Sequence, residues 1–366
     1  MTDARPASLL TVDLAALVAN WRDLAARVAP AACAGVVKAD GYGLGAGPVG
    51  RALYRAGCRH FFVARLNEGL ELRDYVGEDA SVCVLDGLGP DEAPLFRRRD
   101  LMPSLNDPGQ IEAWAKAARG AGEKLKANVH FDTGMSRLGL SPRETEALMA
   151  DPSALAAFDL RYVMSHLVSS EEPDNPINAA QLGRFRAIRA AFPNVRASFA
   201  NSSGVFLGND YHFDLARPGC AVYGINPTPD AANPVRPVAR LEARILQVRE
   251  IDHPQTVGYG ATWQANRPTK VATIACGYAD GWLRSLSGRG AACIGDKQLP
   301  FLGRVSMDLI TLDVSQAPEA VPGRMVELLG SRMTVDDVAA RAGTNGYEVL
   351  TRLGKRFARS YLEPAA

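Results

Sequence analysis

An excess of charge of either sign is absent from this sequence of 366 residues. Lysine and arginine together number 41, aspartate and glutamate number 40, and the formal net charge is +1. Surfaces that bind nucleic acid or anionic membranes carry a basic excess, so the balance excludes both as predicted partners. Apolar runs of about 18 residues are also missing, which excludes a membrane-spanning helix. The first ten residues lack the basic and apolar regions of a signal peptide.

Cysteine is scarce and scattered along the chain. The sequence has six cysteines, and none of them shows the paired spacing of a metal site. We interpret them as reduced and mostly buried thiols of a cytoplasmic protein. Intrinsic disorder is excluded as well, because 47% hydrophobic and 22% charged residues are typical of globular proteins.

Short β-type segments alternate with amphipathic helical segments over the first two-thirds of the chain. The predicted strands number eight and lie at residues 35–39, 61–65, 81–85, 101–105, 127–132, 160–166, 195–201 and 211–217. Strands that alternate with helices imply parallel β/α units. Eight units in roughly 220 residues fit a closed barrel, so we predict the α/β class and a (β/α)8 TIM barrel.

A proline-rich segment at residues 226–241 separates this part of the chain from a second part. The segment contains four prolines and is typical of a linker. Longer β runs with few helical segments follow it, which indicates a β-rich C-terminal domain. We therefore predict a barrel at residues 10–232 and a β-rich domain at residues 233–366, against which residues 1–9 are candidates to pack.

The glycine-rich stretch AGVVKADGYGLGAG, at residues 34–47, allows two interpretations. Residues 41–46 match the dinucleotide-binding pattern, but the acidic residue expected about 20 positions further on is missing. Arg65 ends the next strand instead and leaves an NADP-dependent oxidoreductase open. Alternatively, Lys38 ends the first barrel strand, at the side of the barrel where active sites lie. A desolvated lysine there has a lowered pKa and forms Schiff bases.

Polar residues follow several other predicted strands at the same rim of the barrel. These residues are Arg137, His166, Ser202 and Arg217. The loops after strands seven and eight are the usual phosphate site of a barrel. The hydroxyl of Ser202 and the backbone N–H groups of the Gly219-Cys220 turn suit an anion there. A lysine for an aldehyde, a phosphate cradle and an arginine together predict pyridoxal 5'-phosphate as the cofactor.

Nine motifs, taken in order along the chain, resemble those of the alanine racemase family. The resemblance covers nearly the whole sequence and implies a pyridoxal-phosphate enzyme built of a barrel and a β domain. The motifs are VVKADGYGLG, DTGMSRLG, the Ser165-His166 pair, ANSSG, ARPGCAVYG, VGYGATW, GYADGW, GRVSMD and GYE.

The resemblance also implies a role for particular residues. Lys38 and Tyr259 would be the two catalytic bases, and Lys38 would also hold the cofactor covalently. The remaining cofactor-binding residues would be Tyr42, His166, Ser202, Arg217, Gly219, Cys220 and Tyr347. Substrate-binding residues would be Arg137, Tyr278, Met307 and Asp308. Tyr259, Tyr278, Met307 and Asp308 would come from the second subunit of a homodimer, so the resemblance implies active sites shared between subunits.

The expected chemistry needs two opposed proton-transferring groups. Racemisation removes a proton from one face of the substrate Cα and returns one to the other face, so a single fixed base is insufficient. Lys38 would serve one face and Tyr259 the other, with a phenol pKa below its ordinary value of about 10.

We therefore predict an isomerase that interconverts L-alanine and D-alanine and supplies D-alanine for peptidoglycan. The alternatives are a racemase of broader specificity, a non-catalytic pyridoxal-phosphate-binding barrel and the NADP oxidoreductase.

One position departs from the family pattern. Many members have a lysine two residues before the DTGM motif, and its carbamylated form supports the arginine that corresponds to Arg137. This sequence has His130 there. A carbamate cannot form on an imidazole, so the support of Arg137 and the role of His130 stay open.

Overall fold

Two large β-sheets organise the chain in the computed structural model, which describes residues 6–363. The first sheet is parallel and closes into a barrel. Its first strand is split into Ala32–Cys33, which pairs with the last strand, and Gly35–Val36, which pairs with the second. Barrel strands 2 to 8 are His60–Val63, Ser81–Val84, Leu101–Leu105, Lys126–His130, Asp159–Met164, Arg196–Ser198 and Leu215–Ala216. The predicted TIM barrel is confirmed.

The last barrel strand is shorter than the sequence predicts. Residues 211–217 have the alternation of a strand, but only Leu215–Ala216 pairs with its neighbours. Phe213 has a φ of 51°, in the left-handed region that a strand cannot contain. A short 3-10 turn at Asn209–Tyr211 precedes it.

Helices connect the barrel strands and begin and end at ordinary capping signals. The Asp107 side chain accepts a hydrogen bond from the Gln110 amide at 2.9 Å, and Gly122 ends the same helix at a φ of 68°. The helices of this part of the chain are Leu14–Val28, Ala46–Arg55, Leu66–Leu72, Ala93–Arg98, Pro108–Ala121, Pro142–Ala150 and Pro176–Ala191, and a tight turn at Lys38–Tyr42 follows barrel strand 1. None of the helices within residues 6–363 is long and apolar enough to cross a membrane.

The second sheet is mainly antiparallel and lies after the barrel in sequence. Its longest strand, Ala239–Ile251, pairs with three others, Ser8–Asp13 among them. The strand order is Thr269–Ile274, Ile310–Asp313, Lys297–Leu302, Ala291–Ile294, Met325–Leu329, Ala239–Ile251, Ser8–Asp13 and Ala358–Leu362. A small hairpin of Thr256–Val257 and Trp263–Gln264 and the helices Val335–Ala342 and Gly346–Thr351 complete this part. One continuous apolar core extends through both sheets.

Candidate active site

A cavity opens at the carboxyl ends of the barrel strands, where barrel active sites lie. It contains nine of the side chains and turns predicted from sequence. These are Lys38, Tyr42, Arg137, His166, Ser202, Arg217, Gly219, Cys220 and Tyr347. A larger polar groove on the second sheet, beside Met325–Leu329, contains none of them. The barrel cavity is therefore the candidate active site.

Lys38 begins a tight turn directly after barrel strand 1. The three residues that follow it have φ values of 54°, 53° and 59°, all left-handed. Non-glycine residues adopt this region at a cost of roughly 1–3 kcal/mol each, and such strain concentrates at functional sites. The Asp40 carboxylate stabilises the turn by accepting from the Ala46 amide at 2.8 Å. The glycine-rich stretch therefore builds the turn that follows Lys38.

The Lys38 amine is held in a largely desolvated position. Burial lowers its pKa, and the nearby charge of Arg137 lowers it further. The carboxylates of Glu68 and Asp86 act in the opposite direction without outweighing these effects. A lowered pKa increases the share of neutral amine at neutral pH, and the neutral amine is the form that attacks carbonyls and accepts protons.

Arg217 is a buried cation, with 5% of its surface exposed. Its guanidinium donates to Ser198 Oγ and, at 2.6 Å, to the carbonyl oxygen of Ser165. Burial lowers the pKa of Arg217 to about 10, which still leaves it protonated at neutral pH. The carboxylate of Asp214 does not pair with Arg217, because it accepts from the amide of Ala197 at 2.7 Å. Neutral groups therefore hold Arg217 in place.

The loops after barrel strands 7 and 8 form a polar cradle around Ser202. The Ser202 hydroxyl oxygen accepts from the amides of Gly219 at 2.9 Å and Ala221 at 3.2 Å. A Cβ at Gly219 would lie 2.1 Å from the phenol oxygen of Tyr42, so only glycine fits there. Converging backbone amides and hydroxyls are the groups that bind phosphate in proteins.

Aromatic rings support the same cradle. The ring of Tyr42 stacks on Tyr223 with centroids 4.4 Å apart and lies 6.1 Å from the ring of Tyr347. Burial raises the pKa of Tyr42, so its phenol stays protonated and available as a donor. Tyr223 is fixed in turn, because its hydroxyl donates to the Val36 carbonyl oxygen at 2.9 Å.

His130 and His166 line the cavity as neutral imidazoles. Burial, followed by the charge of Arg217, lowers the pKa of His130 to about 4 and holds the pKa of His166 well below its usual value. Asn106 fixes the tautomer of His130. The Nδ2 of Asn106 donates to the Leu85 carbonyl oxygen at 3.0 Å, which leaves the Oδ1 of Asn106 facing His130. This Oδ1 lies 2.8 Å from His130 Nδ1 and can only accept, so Nδ1 carries the proton. His130 Nε2 is therefore unprotonated.

Arg137 lies at the exposed edge of the cavity, after barrel strand 5. Within the part of the chain that the structure describes, its guanidinium has no hydrogen-bond or ion-pair partner. The loop that carries it is well organised, because the Asp132 carboxylate accepts from the three amides of residues 134–136 at 2.7 to 2.8 Å. A free guanidinium on an ordered loop suits a carboxylate ligand.

Four predicted site residues lie elsewhere, in turns and loops of the β-rich C-terminal part. Tyr259 is 73% exposed and Met307 is 53% exposed. The carbonyl oxygen of Met307 accepts from the Ala279 amide at 2.9 Å, which places it beside Tyr278. Asp308 pairs with Arg356 at 2.8 Å. Within a single chain, none of the four lines the barrel cavity.

The supporting residues of the site are the ones that sequence reasoning missed. Asn106, Ser165 and Ser198 hold His130 and Arg217 through the bonds described above. Strand alternation was the available signal for Ser198, which belongs to barrel strand 7 at the depth of Arg217. The described residues contain no cluster of His, Cys, Asp and Glu that would hold a metal ion.

Comparison with known proteins gives one consistent result. Family models described as the N-terminal and C-terminal domains of alanine racemase match residues 12–227 and 238–361. The chain belongs to the alanine racemase family. The resemblance inferred from the sequence motifs is therefore confirmed.

Individual alanine racemases match over nearly their full length. The curated alanine racemase of Rhodospirillum rubrum is 52% identical over 362 residues, which cover 98% of this chain and 96% of that protein. The one from Brucella abortus is 47% identical over 98% of this chain and 95% of its own length. A crystal structure of alanine racemase from Bartonella henselae, with covalently bound pyridoxal phosphate, superposes with a TM-score of 0.94. It is 39% identical and covers 98% of this chain and 100% of its own.

Proposed function

We propose that this chain interconverts L-alanine and D-alanine with pyridoxal phosphate bound in the barrel cavity. The observation that carries the proposal is the convergence of Lys38, Arg217 and the Ser202 cradle in that cavity. Membership of the alanine racemase family supports the same activity.

The residues present fit an anionic cofactor and an anionic substrate group. Lys38, Arg137 and Arg217 line the cavity, and no described carboxylate lines it with them. An uncompensated group of cations in a partly buried site favours bound anions. The missing Cβ of Gly219 leaves room for the Tyr42 phenol beside Ser202, and a phenol and a hydroxyl together suit a phosphate group. Tyr42, Cys220 and Tyr347 complete this side of the cavity.

Bound pyridoxal phosphate supplies an electron sink that acidifies the Cα–H of an attached amino acid. Lys38 would hold the cofactor through its amine and, once released, would move a proton at Nζ on one face of the substrate. Its lowered pKa favours both tasks, because the neutral amine is nucleophilic and basic. Arg137 would bind the substrate carboxylate.

Arg217 limits what the site can do. A guanidinium only donates hydrogen bonds, so Arg217 would offer the ring nitrogen of the cofactor a hydrogen bond and no proton. A ring nitrogen that stays unprotonated withdraws electrons less strongly. We propose that this restrains side reactions that need a stronger electron sink. His166 beside it stays neutral, since its pKa is held far below neutrality by burial and by Arg217.

Proton transfer on the face of the substrate opposite Lys38 needs a second acid–base group. One chain alone does not supply such a group to the cavity. We propose a homodimer in which Tyr259, Tyr278, Met307 and Asp308 enter the cavity of the partner. Their exposure in turns and loops of the β-rich part supports this assignment, because it leaves Tyr259 and Met307 accessible to another chain. Tyr259 would move the proton at its phenol oxygen, opposite Lys38.

The proposed role is the supply of D-alanine for peptidoglycan in the cytoplasm. All six cysteines are free and buried, which supports a reducing compartment.

Purified protein loaded with pyridoxal phosphate provides the test. Each alanine enantiomer in D₂O should exchange its α-proton and convert to the other enantiomer. A panel of larger amino acids then separates an alanine racemase from one of broader specificity. Absence of cofactor-dependent exchange on both enantiomers contradicts the proposal.

A further inference from the structure

Four buried polar atoms in the barrel interior form no hydrogen bond of ordinary geometry with another described residue, although the Cys83 thiol lies beside Asn128. They are Ser104 Oγ, Asn128 Oδ1, Asn128 Nδ2 and the hydroxyl of Tyr162. The three residues are at most 2% exposed. A buried polar group without a partner costs roughly 1–3 kcal/mol, so four of them in one place need an explanation.

The three residues are neighbours across three adjacent barrel strands. Ser104 is paired with Asn128, and Asn128 is paired with Tyr162, in the register of the sheet. Laterally paired residues project from the same face of a sheet. The four atoms therefore belong to one layer of the barrel.

Alternation along the strands shows that this face points into the barrel. Two residues after Asn128, His130 lines the candidate active site, and two residues before it, Lys126 lines a second cavity. That second cavity opens at the amino-terminal mouth of the barrel, and Tyr162 lines it too. The polar layer thus lies between the active-site cavity and the lower mouth.

We propose that this layer binds a cluster of ordered water molecules. Water fits the chemistry, since Ser104 and Tyr162 each offer a donor and an acceptor and Asn128 offers both kinds of group. No member of the layer is itself charged, which favours a neutral ligand over an ion. Buried waters typically make two to four hydrogen bonds to such groups. The cluster extends the hydration of the lower mouth inward, toward the buried Arg217.

A high-resolution crystal structure of the pyridoxal-phosphate-loaded protein tests the proposal directly. We expect solvent peaks within about 3.2 Å of at least three of the four atoms. A well-resolved map with no solvent between Ser104, Asn128 and Tyr162 overturns it. This outcome is independent of whether the protein racemises alanine.

Thermal unfolding of variants of the same holoprotein provides a second test. A dry layer and a hydrated layer predict changes in Tm of opposite sign. In a dry layer, Asn128→Leu removes two unpaired groups and raises Tm. In a hydrated layer it breaks bonds to water and lowers Tm by at least about 1 °C. Tyr162→Phe keeps the ring, which packs under Arg196 at 4.5 Å, and should also lower Tm. A raised or unchanged Tm in both variants contradicts the proposal.

Asn20→Leu is the matched control. Asn20 is also fully buried, but its Nδ2 donates to the Arg236 carbonyl oxygen at 2.9 Å and its Oδ1 accepts from the Arg236 amide at 2.8 Å. Its replacement must lower Tm through lost protein bonds. A fall for Asn128→Leu comparable to that of Asn20→Leu supports the water cluster, and opposite signs for the two variants refute it.

Discussion

Replacing Gly219 with alanine perturbs the phosphate cradle without removing any of its polar groups. The added Cβ would lie 2.1 Å from the phenol oxygen of Tyr42 and 3.0 Å from its Cζ. The φ of Gly219 is −116°, outside the left-handed region that favours glycine, so the clash with Tyr42 is the main expected effect. Tyr42 has little freedom to withdraw, since it is 5% exposed and stacked on Tyr223. We therefore expect Tyr42 to relieve the clash by moving into the space proposed for the phosphate.

The expected magnitude follows from the cost of overpacking. Such substitutions typically cost about 1–3 kcal/mol. If the cofactor-bound state bears this cost, the Kd for pyridoxal phosphate rises roughly 5- to 150-fold. Titration of the apoprotein with pyridoxal phosphate, followed by absorbance, measures it. A Kd equal to that of the unmodified protein would refute the assignment of the cradle.

Two controls make the result specific. Gly120→Ala places a Cβ with no atom within 4 Å, in the helix Pro108–Ala121, and should leave the Kd unchanged. Tyr42→Phe removes the closest atom of the clash. The double variant with Gly219→Ala should therefore bind more tightly than the sum of the two single effects predicts, by a coupling of about 1 kcal/mol. Strict additivity contradicts the steric explanation.

Three further predictions test other parts of the site. Lys38→Ala should lose both the reducible covalent link to pyridoxal phosphate and at least about 10²-fold in activity; a reducible link in this variant would place the anchor elsewhere. Arg137→Gln should raise KM for alanine roughly 10-fold or more while leaving Tm unchanged, because the guanidinium binds no described group; a lower Tm with an unchanged KM contradicts a substrate role. His60 has a pKa of about 4 against an ordinary 6.5, so between these pH values only the unfolded chain binds its proton. His60 should contribute a fall of up to about 3 kcal/mol in the free energy of unfolding as pH drops through this window, in addition to the falls from His130 and His166. His60→Asn should remove that share and make the profile less steep; an unchanged profile in that variant refutes the assignment.

The barrel and the position of Lys38 were predictable from local sequence features. Strand alternation, helix caps such as Asp107 and turn glycines act over a few residues, so they are readable without the fold. The start of barrel strand 8 was not predictable, because the left-handed Phe213 carries no sequence signal of its own.

Contacts between distant residues were also beyond the sequence. Asp214 lies three residues before Arg217, yet its carboxylate accepts from the Ala197 amide, and Arg217 donates to Ser165 and Ser198. The neutral tautomer of His130 likewise depends on Asn106, which is 24 residues away and directly follows the neighbouring barrel strand. Such pairings arise from strand register and cannot be derived from spacing.

The shared active site is the central claim of this account, and mixing two inactive variants tests it most directly. Chains carrying Lys38→Ala and chains carrying Tyr259→Phe should each be inactive as homodimers. After joint unfolding and refolding, half the dimers are mixed, and one of their two sites combines an intact Lys38 with an intact Tyr259 from the other chain. We predict recovery of about a quarter of the unmodified activity, as expected for a two-fold symmetric dimer. If the mixture stays as inactive as its parents, the two residues do not act across the subunit boundary and the proposed mechanism is wrong.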